Sequence, residues 1–141
     1  MSRENVEVVR RFFEVRSAFL RGDADGETFG EMFDPQVEVC WHDQQTYPDT
    51  PQELRGATAV VAFSEQYRDG WVDVTADLLE LSEAPGGRVL AFSRQSARGR
   101  QSGVPIVIHF FEVFTVQDGR VGKAEFFRHR ADAVRAAGLS E

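Results

Sequence analysis

A single glutamate, Glu112, interrupts the most apolar run of the chain, the segment PIVIHFFEVFTVQDGRV that extends from Pro105 to Val121. Burial among Phe and Val side chains favours the neutral form of a carboxyl group, so a glutamate placed there can act as a general acid or base. The same carboxylate can instead form a structural ion pair with Arg94 or Arg128, or lie at the wet edge of a sheet. The residues around Glu112 leave these three interpretations open.

Other polar side chains could assist such a carboxylate. His42 ends a predicted strand beside Asp43, where it could serve as a general base at the mouth of a pocket, although a loop histidine is commonly only solvated. The hydroxyl of Tyr67 could orient a carbonyl group. The candidate catalytic residues are therefore Glu112, Arg128 and His42, with Tyr67 as a further helper.

Aromatic side chains and one arginine make up the candidate ligand-binding set. Aromatic residues commonly form cores, but an apolar ligand cavity is lined by the same residue types. The polar segment SRQSARGRQSG predicts a solvated hairpin end, with an anion site as the alternative. The candidate set comprises Trp41, Tyr67, Trp71, Phe110, Phe114, Phe126 and Arg94.

Metal and nucleotide chemistry are not predicted. The three histidines show no metal-ligand spacing and Cys40 is the only cysteine, so a zinc site is not expected. The sequence contains no glycine-rich phosphate loop and no nucleophile elbow, because RGRQSG precedes a strand rather than a helix. We therefore expect no metal and no cofactor.

The elements that must position these residues begin with helices. Apolar spacing predicts a long amphipathic helix from Ser2 to Gly22, then a short helix in DGETFGEMF that stops at the dipeptide DP. QVEVCW predicts a strand. The loop HDQQTYPDTPQELRG is long enough for a mouth or lid, and ATAVVAFSEQYRDGW predicts a third helix with Trp71 near its end.

From Asp73 onward the pattern changes to an antiparallel meander of four strands, joined by SEAPGG, RQSG and QDGR, before a last helix that ends at Gly138. This order predicts an α+β fold with helices packed on one face of a curved sheet. Alternation in the last strand places Ala124 and Phe126 toward the helices, and Lys123 and Glu125 on the other face.

The opposite face of the strand around Glu112 is also apolar, since it carries Phe111 and Val113. A sheet covered on one side only should expose polar residues on the other. We therefore expect this second face to be covered, most simply by an identical chain in a twofold dimer. The alternative is that the C-terminal helix or the N-terminus folds over it.

Bulk properties bound the function. The 141 residues fit a single domain, 1–141, and the net charge of −7 disfavours nucleic acid as a partner. The N-terminus MSRENVEVVRR has no apolar signal segment, and no run of apolar residues is long enough for a membrane span. We expect a cytoplasmic protein without a membrane or nucleic-acid partner.

The order of elements, with SRENVEVVRRFFE, RGD, DPQVEV, LRGATAVVAF, QDGRV and the closing RADAVRAAGL, resembles the SnoaL-like group of the nuclear transport factor 2-like superfamily. The resemblance covers nearly the whole chain. It implies a cone of curved antiparallel sheet, a cystatin-like roll, wrapped around the long N-terminal helix. It also implies an apolar pocket open at one end, and usually a homodimer joined through the sheet. The fold hosts isomerases, cyclases, epoxide hydrolases, dehydratases and proteins without catalysis.

The resemblance places Glu112 where ketosteroid isomerases carry an acid, which turns this side chain inward. Their aspartate falls on Val39 and their tyrosine near Val15, so isomerase chemistry of that type lacks its partners. The last-strand aspartate of limonene epoxide hydrolases falls on Phe126. A cyclase-like pattern with one acid-base group is still compatible, and His129 replaces the aspartate that many relatives carry before the last helix.

These observations predict a homodimeric, cofactor-free domain that encloses a small apolar or aromatic molecule. The expected chemistry is a proton transfer, such as isomerisation, cyclisation or dehydration, with Glu112 as the acid-base group. The competing hypotheses are a small-molecule binding module without turnover and a dimeric scaffold with a filled cavity.

Overall fold

The computed structural model describes residues 2–42 and 52–140. Within these residues the helices are α1 (Ser2–Arg21), α2 (Gly26–Gly30), α3 (Ala57–Asp69) and α4 (Arg130–Ala136). The strands are β1 (Phe33–Trp41), β2 (Glu53–Arg55), β3 (Trp71–Ala84), β4 (Arg88–Gly99), β5 (Pro105–Gln117) and β6 (Arg120–Phe127).

All six strands belong to one sheet with the order β2-β1-β6-β5-β4-β3. The predicted meander from β3 to β6 is confirmed, with antiparallel pairing at each step. The sheet as a whole is mixed, because β1 pairs with β6 in parallel. Parallel neighbours need a long crossover connection, and α3 together with the meander supplies it.

Helix α1 lies against the inner face of this sheet. Its apolar stripe is buried, and Phe12 and Phe13 contact Phe114 of β5 at ring-centroid distances of 5.2 and 5.8 Å. The helix ends before Gly22, whose φ of +86° suits glycine, while the Asp23 N–H closes the last turn onto the Ala18 carbonyl at 2.8 Å. The predicted α+β fold with a long N-terminal helix is confirmed.

Three local boundaries differ from the prediction. Helix α2 ends at Gly30, and Pro35 lies inside β1, where the register with β6 shifts between Phe33 and Glu38. Proline lacks the N–H that regular strand pairing requires, so it is tolerated at this irregular part of the β1–β6 pairing. Trp71 begins β3 instead of ending α3, since Gly70 caps that helix.

Strand β2 was not predicted and lies in the segment expected to be a mouth or lid. Its Leu54 pairs with Val39 of β1 in antiparallel register. Residues 43–51 of the expected lid lie outside the described residues.

Helix α4 covers part of the outer face of the sheet. Ala133, Val134 and Ala137 pack with a cluster of outer-face side chains that includes Phe92 and Val113. The C-terminal helix therefore accounts for much of the second apolar face. Beyond it, Val107 stays 59% exposed and Leu79 54% exposed.

Among the described helices, none combines the length and the apolar character that a membrane span would need.

Candidate functional site

A cavity of about 100 Å³ lies between the inner face of the sheet and helices α1 and α3. Its wall is almost entirely apolar and aromatic, with a few polar side chains from α1, α3 and β4. The lining residues are Phe12, Arg16, Leu20, Phe29, Phe33, Val39, Trp41, Val60, Phe63, Ser64, Tyr67, Gln95, Phe110, Ala124 and Phe126.

The charged residue of this wall is Arg16, which is paired with Glu112. Nη1 and Nη2 of Arg16 donate to the two carboxylate oxygens of Glu112 at 2.8 and 2.9 Å. The Glu112 side chain is fully buried, and that of Arg16 is 15% exposed. The guanidinium also lies 4.5 Å from the ring centroid of Phe13 and 5.2 Å from that of Phe12. Two parallel hydrogen bonds and two aromatic faces thus hold Arg16 in place.

This geometry gives Glu112 a partner that the sequence interpretations did not include. The residue is neither at a wet edge nor paired with Arg94 or Arg128, because its partner is Arg16 of α1. Both oxygens are engaged by a permanently charged group, which makes a structural ion pair the arrangement that the contacts support. Glu112 is absent from the cavity lining, where Arg16 stands between it and the open space.

A second polar group is formed by Tyr67 and Gln95. Gln95 Nε2 donates to the Tyr67 hydroxyl oxygen at 2.8 Å. Burial raises the pKa of Tyr67 above its ordinary value, while the hydrogen bond from Gln95 and the charge of Arg16 act in the opposite direction. Tyr67 is therefore a neutral phenol at physiological pH. The remaining polar side chain, Ser64, donates to the Val60 carbonyl at 2.9 Å.

Stacked aromatic rings form the wall opposite α1. Trp41 of β1 lies parallel to Phe126 of β6, with centroids 5.3 Å apart and planes 3° apart. Phe63 of α3 and Phe110 of β5 contact this pair at 5.3 and 5.7 Å. The rings meet because Trp41 and Phe126 are direct neighbours in the parallel register.

The structure brings four predicted ligand-binding residues, Trp41, Tyr67, Phe110 and Phe126, to the cavity. The other three lie elsewhere. Phe114 is fully buried among Phe12 and Phe13 in the main core. Trp71 packs beside Tyr67, behind the wall, with ring centroids 6.2 Å apart. Arg94 is exposed and bonds to Asp77 at 2.9 Å, because its position in β4 faces outward.

Two of the three expected helpers of Glu112, His42 and Arg128, lie away from the cavity. His42 stacks on Phe127 at a centroid distance of 4.5 Å, and its Nε2 lies 2.9 Å from Oε2 of Glu125. Glu125 and Phe127 alternate with the cavity residue Phe126, so His42 is on the outer face of the sheet. Arg128 is exposed beyond the end of β6.

Three polar residues of the cavity were not predicted from the sequence: Arg16, Ser64 and Gln95. A signal existed for Arg16, because it continues the buried helical stripe of Val9, Phe12 and Phe13 at the proper spacing. Gln95 shares its strand face with Ala91, which pairs with Glu112. In the part of the chain that the structure describes, no three His, Cys, Asp or Glu side chains converge as metal ligands would.

A family model for the SnoaL-like domain matches residues 9–123. The chain belongs to the SnoaL-like family. No curated protein matches this SnoaL-like domain by sequence. The sequence prediction of the family is thus confirmed.

Solved structures share the fold. A SnoaL-like polyketide cyclase from Jannaschia sp. CCS1 superposes with a TM-score of 0.73 at 19% identity, covering 98% of this chain and 94% of that chain. Bal32a, from a soil-derived mobile gene cassette, gives 0.71 at 23% identity over 96% and 97%. TerC, co-crystallised with polyporic acid, gives 0.70 at 18% identity over 95% and 97%. At these identities the similarity establishes the fold of this SnoaL-like domain.

Replacing Arg16 by Met would leave a buried carboxylate without its partner, so we expect the free energy of unfolding to fall by about 3–5 kcal/mol. Changing both members, Arg16→Met with Glu112→Met, removes the unpaired charge and should recover most of the loss. Urea unfolding measures both effects, with Arg10→Met on the exposed side of α1 as the control. A double variant no more stable than Arg16→Met would contradict the structural pair.

Alkaline pH tests the burial of Tyr67. Since its pKa is raised in the folded state, the unfolded chain releases this proton first. The stability contributed by the neutral phenol is present below about pH 10 and is lost as the pH rises through the folded-state pKa. In urea unfolding, we expect the wild type to lose stability relative to Tyr67→Phe above that pH. A constant difference between the two would show that the hydroxyl is solvated.

Proposed function

We propose that this SnoaL-like domain binds a small, mainly apolar ligand inside the cavity and does not transform it. The observation that carries the proposal is the charge state of the wall. Among the described residues that line the cavity, none is Asp, Glu or His, and Arg16 is already neutralised by Glu112. An apolar cavity with a few placed polar groups is the usual form of a small-molecule site.

The cavity volume restricts the ligand. Its 100 Å³ compares with roughly 150 Å³ for an engineered apolar cavity that takes up benzene. A molecule of about one small ring therefore matches the available space, and a fused multi-ring compound would require the side chains to move. The flat faces of Trp41 and Phe126 favour a planar or aromatic ligand.

A proton-transfer enzyme is the alternative, and it is suggested by the shared fold with the Jannaschia protein that is described as a polyketide cyclase. Such chemistry needs a base within hydrogen-bond reach of the substrate. Glu112 could serve only after leaving Arg16, which would separate two charges in apolar surroundings at a high energetic cost. Tyr67 holds its proton too firmly to be a base near neutral pH. The geometry therefore supports binding better than catalysis.

The binding proposal can be tested with Trp41 as a reporter. The chain has two tryptophans, so Trp71→Phe leaves Trp41 as the sole indole. In this background we expect small aromatic and alicyclic compounds to change the fluorescence saturably. Ala124→Leu should abolish the response by filling the cavity, whereas Ala76→Leu, on β3 outside the cavity lining, should retain it.

Each outcome separates the alternatives. A response that survives Ala124→Leu would place the ligand outside the cavity and contradict the proposal. Turnover of a bound compound that disappears in Glu112→Gln, with binding retained, would favour the proton-transfer alternative. Binding that persists in Glu112→Gln, without turnover in either protein, is the expected result.

We further propose that two copies associate through the outer face of the sheet. The support is the exposure of Val107 and Leu79 on the part of that face that α4 leaves open. Sedimentation at tens of micromolar should show a dimer, because an interface of standard size is occupied at such concentrations. Val107→Glu should give monomers, whereas Val104→Glu in the preceding turn, similarly exposed at 56%, should not. A monomeric wild type would refute the association.

A further inference from the structure

The polar side chains of the cavity wall differ in whether their protons are already used in hydrogen bonds within the protein. Ser64 directs its hydroxyl proton to the Val60 carbonyl, so that proton is not available to a ligand. Gln95 directs an amide proton to the Tyr67 oxygen at 2.8 Å. A phenol has a single proton, and it cannot occupy the line along which another donor approaches its oxygen. The Tyr67 proton therefore points away from Gln95.

The Tyr67 proton has no protein acceptor within residues 2–42 and 52–140, where the only hydrogen bond of this hydroxyl is the one it accepts. Gln95 is itself 7% exposed, so bulk water does not compete freely for its amide. A donor that faces a largely apolar cavity without an acceptor is a ready recognition group, since a ligand acceptor would complete its hydrogen bonding.

Arg16 is a further hydrogen-bond donor in the cavity wall. Two of its N–H groups bond to Glu112, and in the described part of the chain its other N–H groups make no hydrogen bond. A guanidinium has donors and no acceptor. The wall therefore offers protons from Tyr67 and Arg16, its side-chain acceptors are the neutral oxygens of Gln95, Ser64 and Tyr67, and no carboxylate or imidazole lines it to take a proton from a ligand.

We infer that the site is specific for ligands that carry a hydrogen-bond acceptor, such as a carbonyl oxygen, with Tyr67 as the donor and Gln95 as the positioning residue that fixes the direction of its proton. This inference rests on the proposed binding function. It disfavours protonated amines, because a cation would find no carboxylate in the cavity wall and would face the donors of Tyr67 and Arg16. It also requires that the Gln95 amide present its N–H group, and not its oxygen, to the Tyr67 hydroxyl.

Two nearly isosteric probes test the selectivity. Cyclopentanone carries a carbonyl oxygen where methylenecyclopentane has a CH₂ group, and both approximate one small ring. With Trp41 as the reporter in the Trp71→Phe background, we compare their affinity ratio between this protein and the same protein with Tyr67→Phe. Because the comparison is made between proteins, the different hydration of the two probes cancels.

We expect the affinity ratio of cyclopentanone to methylenecyclopentane to be about threefold to tenfold higher in the protein with Tyr67 than in Tyr67→Phe. This factor corresponds to the free energy of one hydrogen bond. Equal ratios in the two proteins, with both probes bound, would overturn the inference and leave the binding function intact. If neither probe binds, both proposals fail. Cyclopentylamine, as a third probe, should bind more weakly than either, and preferential binding of this amine would also overturn the inference.

The orientation of Gln95 has its own readout. The hydrogen bond donated by Gln95 favours the ionised phenol, so Gln95→Met should raise the pKa of Tyr67 further. If the amide instead accepted the Tyr67 proton, the same change would lower that pKa. Incorporated fluorotyrosine, whose phenol ionises nearer neutrality, allows the titration by fluorine NMR in the folded protein, with Tyr67→Phe to assign the signal. A lower Tyr67 pKa in Gln95→Met would refute the assigned role of Gln95. A loss of stability in this variant would not by itself reverse the direction of the pKa shift.

Discussion

The paired charges of Arg16 and Glu112 are the constraint on which the rest of the site depends. A fully buried carboxylate such as that of Glu112 is tolerated only with a partner that neutralises it and satisfies its lone pairs. Arg16 does both, and it brings α1 into a fixed position across β5. The rings of Phe12 and Phe13 then cover the guanidinium. The pair thus fastens the central helix to the sheet and leaves the adjoining cavity without a free negative charge.

The remainder of the cavity follows from strand alternation. Once α1 occupies the inner face, Val39, Trp41, Ala124 and Phe126 must line the space between sheet and helices. Helix α3 closes that space with Phe63, Ser64 and Tyr67, which share one face of the helix. Of these three residues, only Tyr67 has a hydroxyl proton that can be donated to a ligand in the cavity. Most of the cavity surface is consequently apolar, and its few polar groups have fixed directions. This combination suits the recognition of a small molecule.

The sequence predicted those parts of the molecule that local periodicity determines. The stripe of α1, the meander and the inward direction of Ala124 and Phe126 were all correct. The outward direction of the His42 side chain could also have been predicted from the sequence, because His42 directly follows the inward-facing Trp41. The Arg16–Glu112 pair was harder, because its members lie 96 positions apart and no local pattern links them. The parallel neighbour of β1 was likewise a matter of long-range topology.

The parallel register of β1 with β6 also bears on the order of folding. Strand β1 precedes α3 and the whole meander, and β6 ends the meander, so their pairing closes a long loop. This step costs more entropy and is slower than forming the intervening hairpins. Trp41 and Phe126 meet only through that pairing. The stack of Trp41 on Phe126 therefore requires β1 and β6 to be paired, and a molecule that binds against it would stabilise forms in which this pairing is complete.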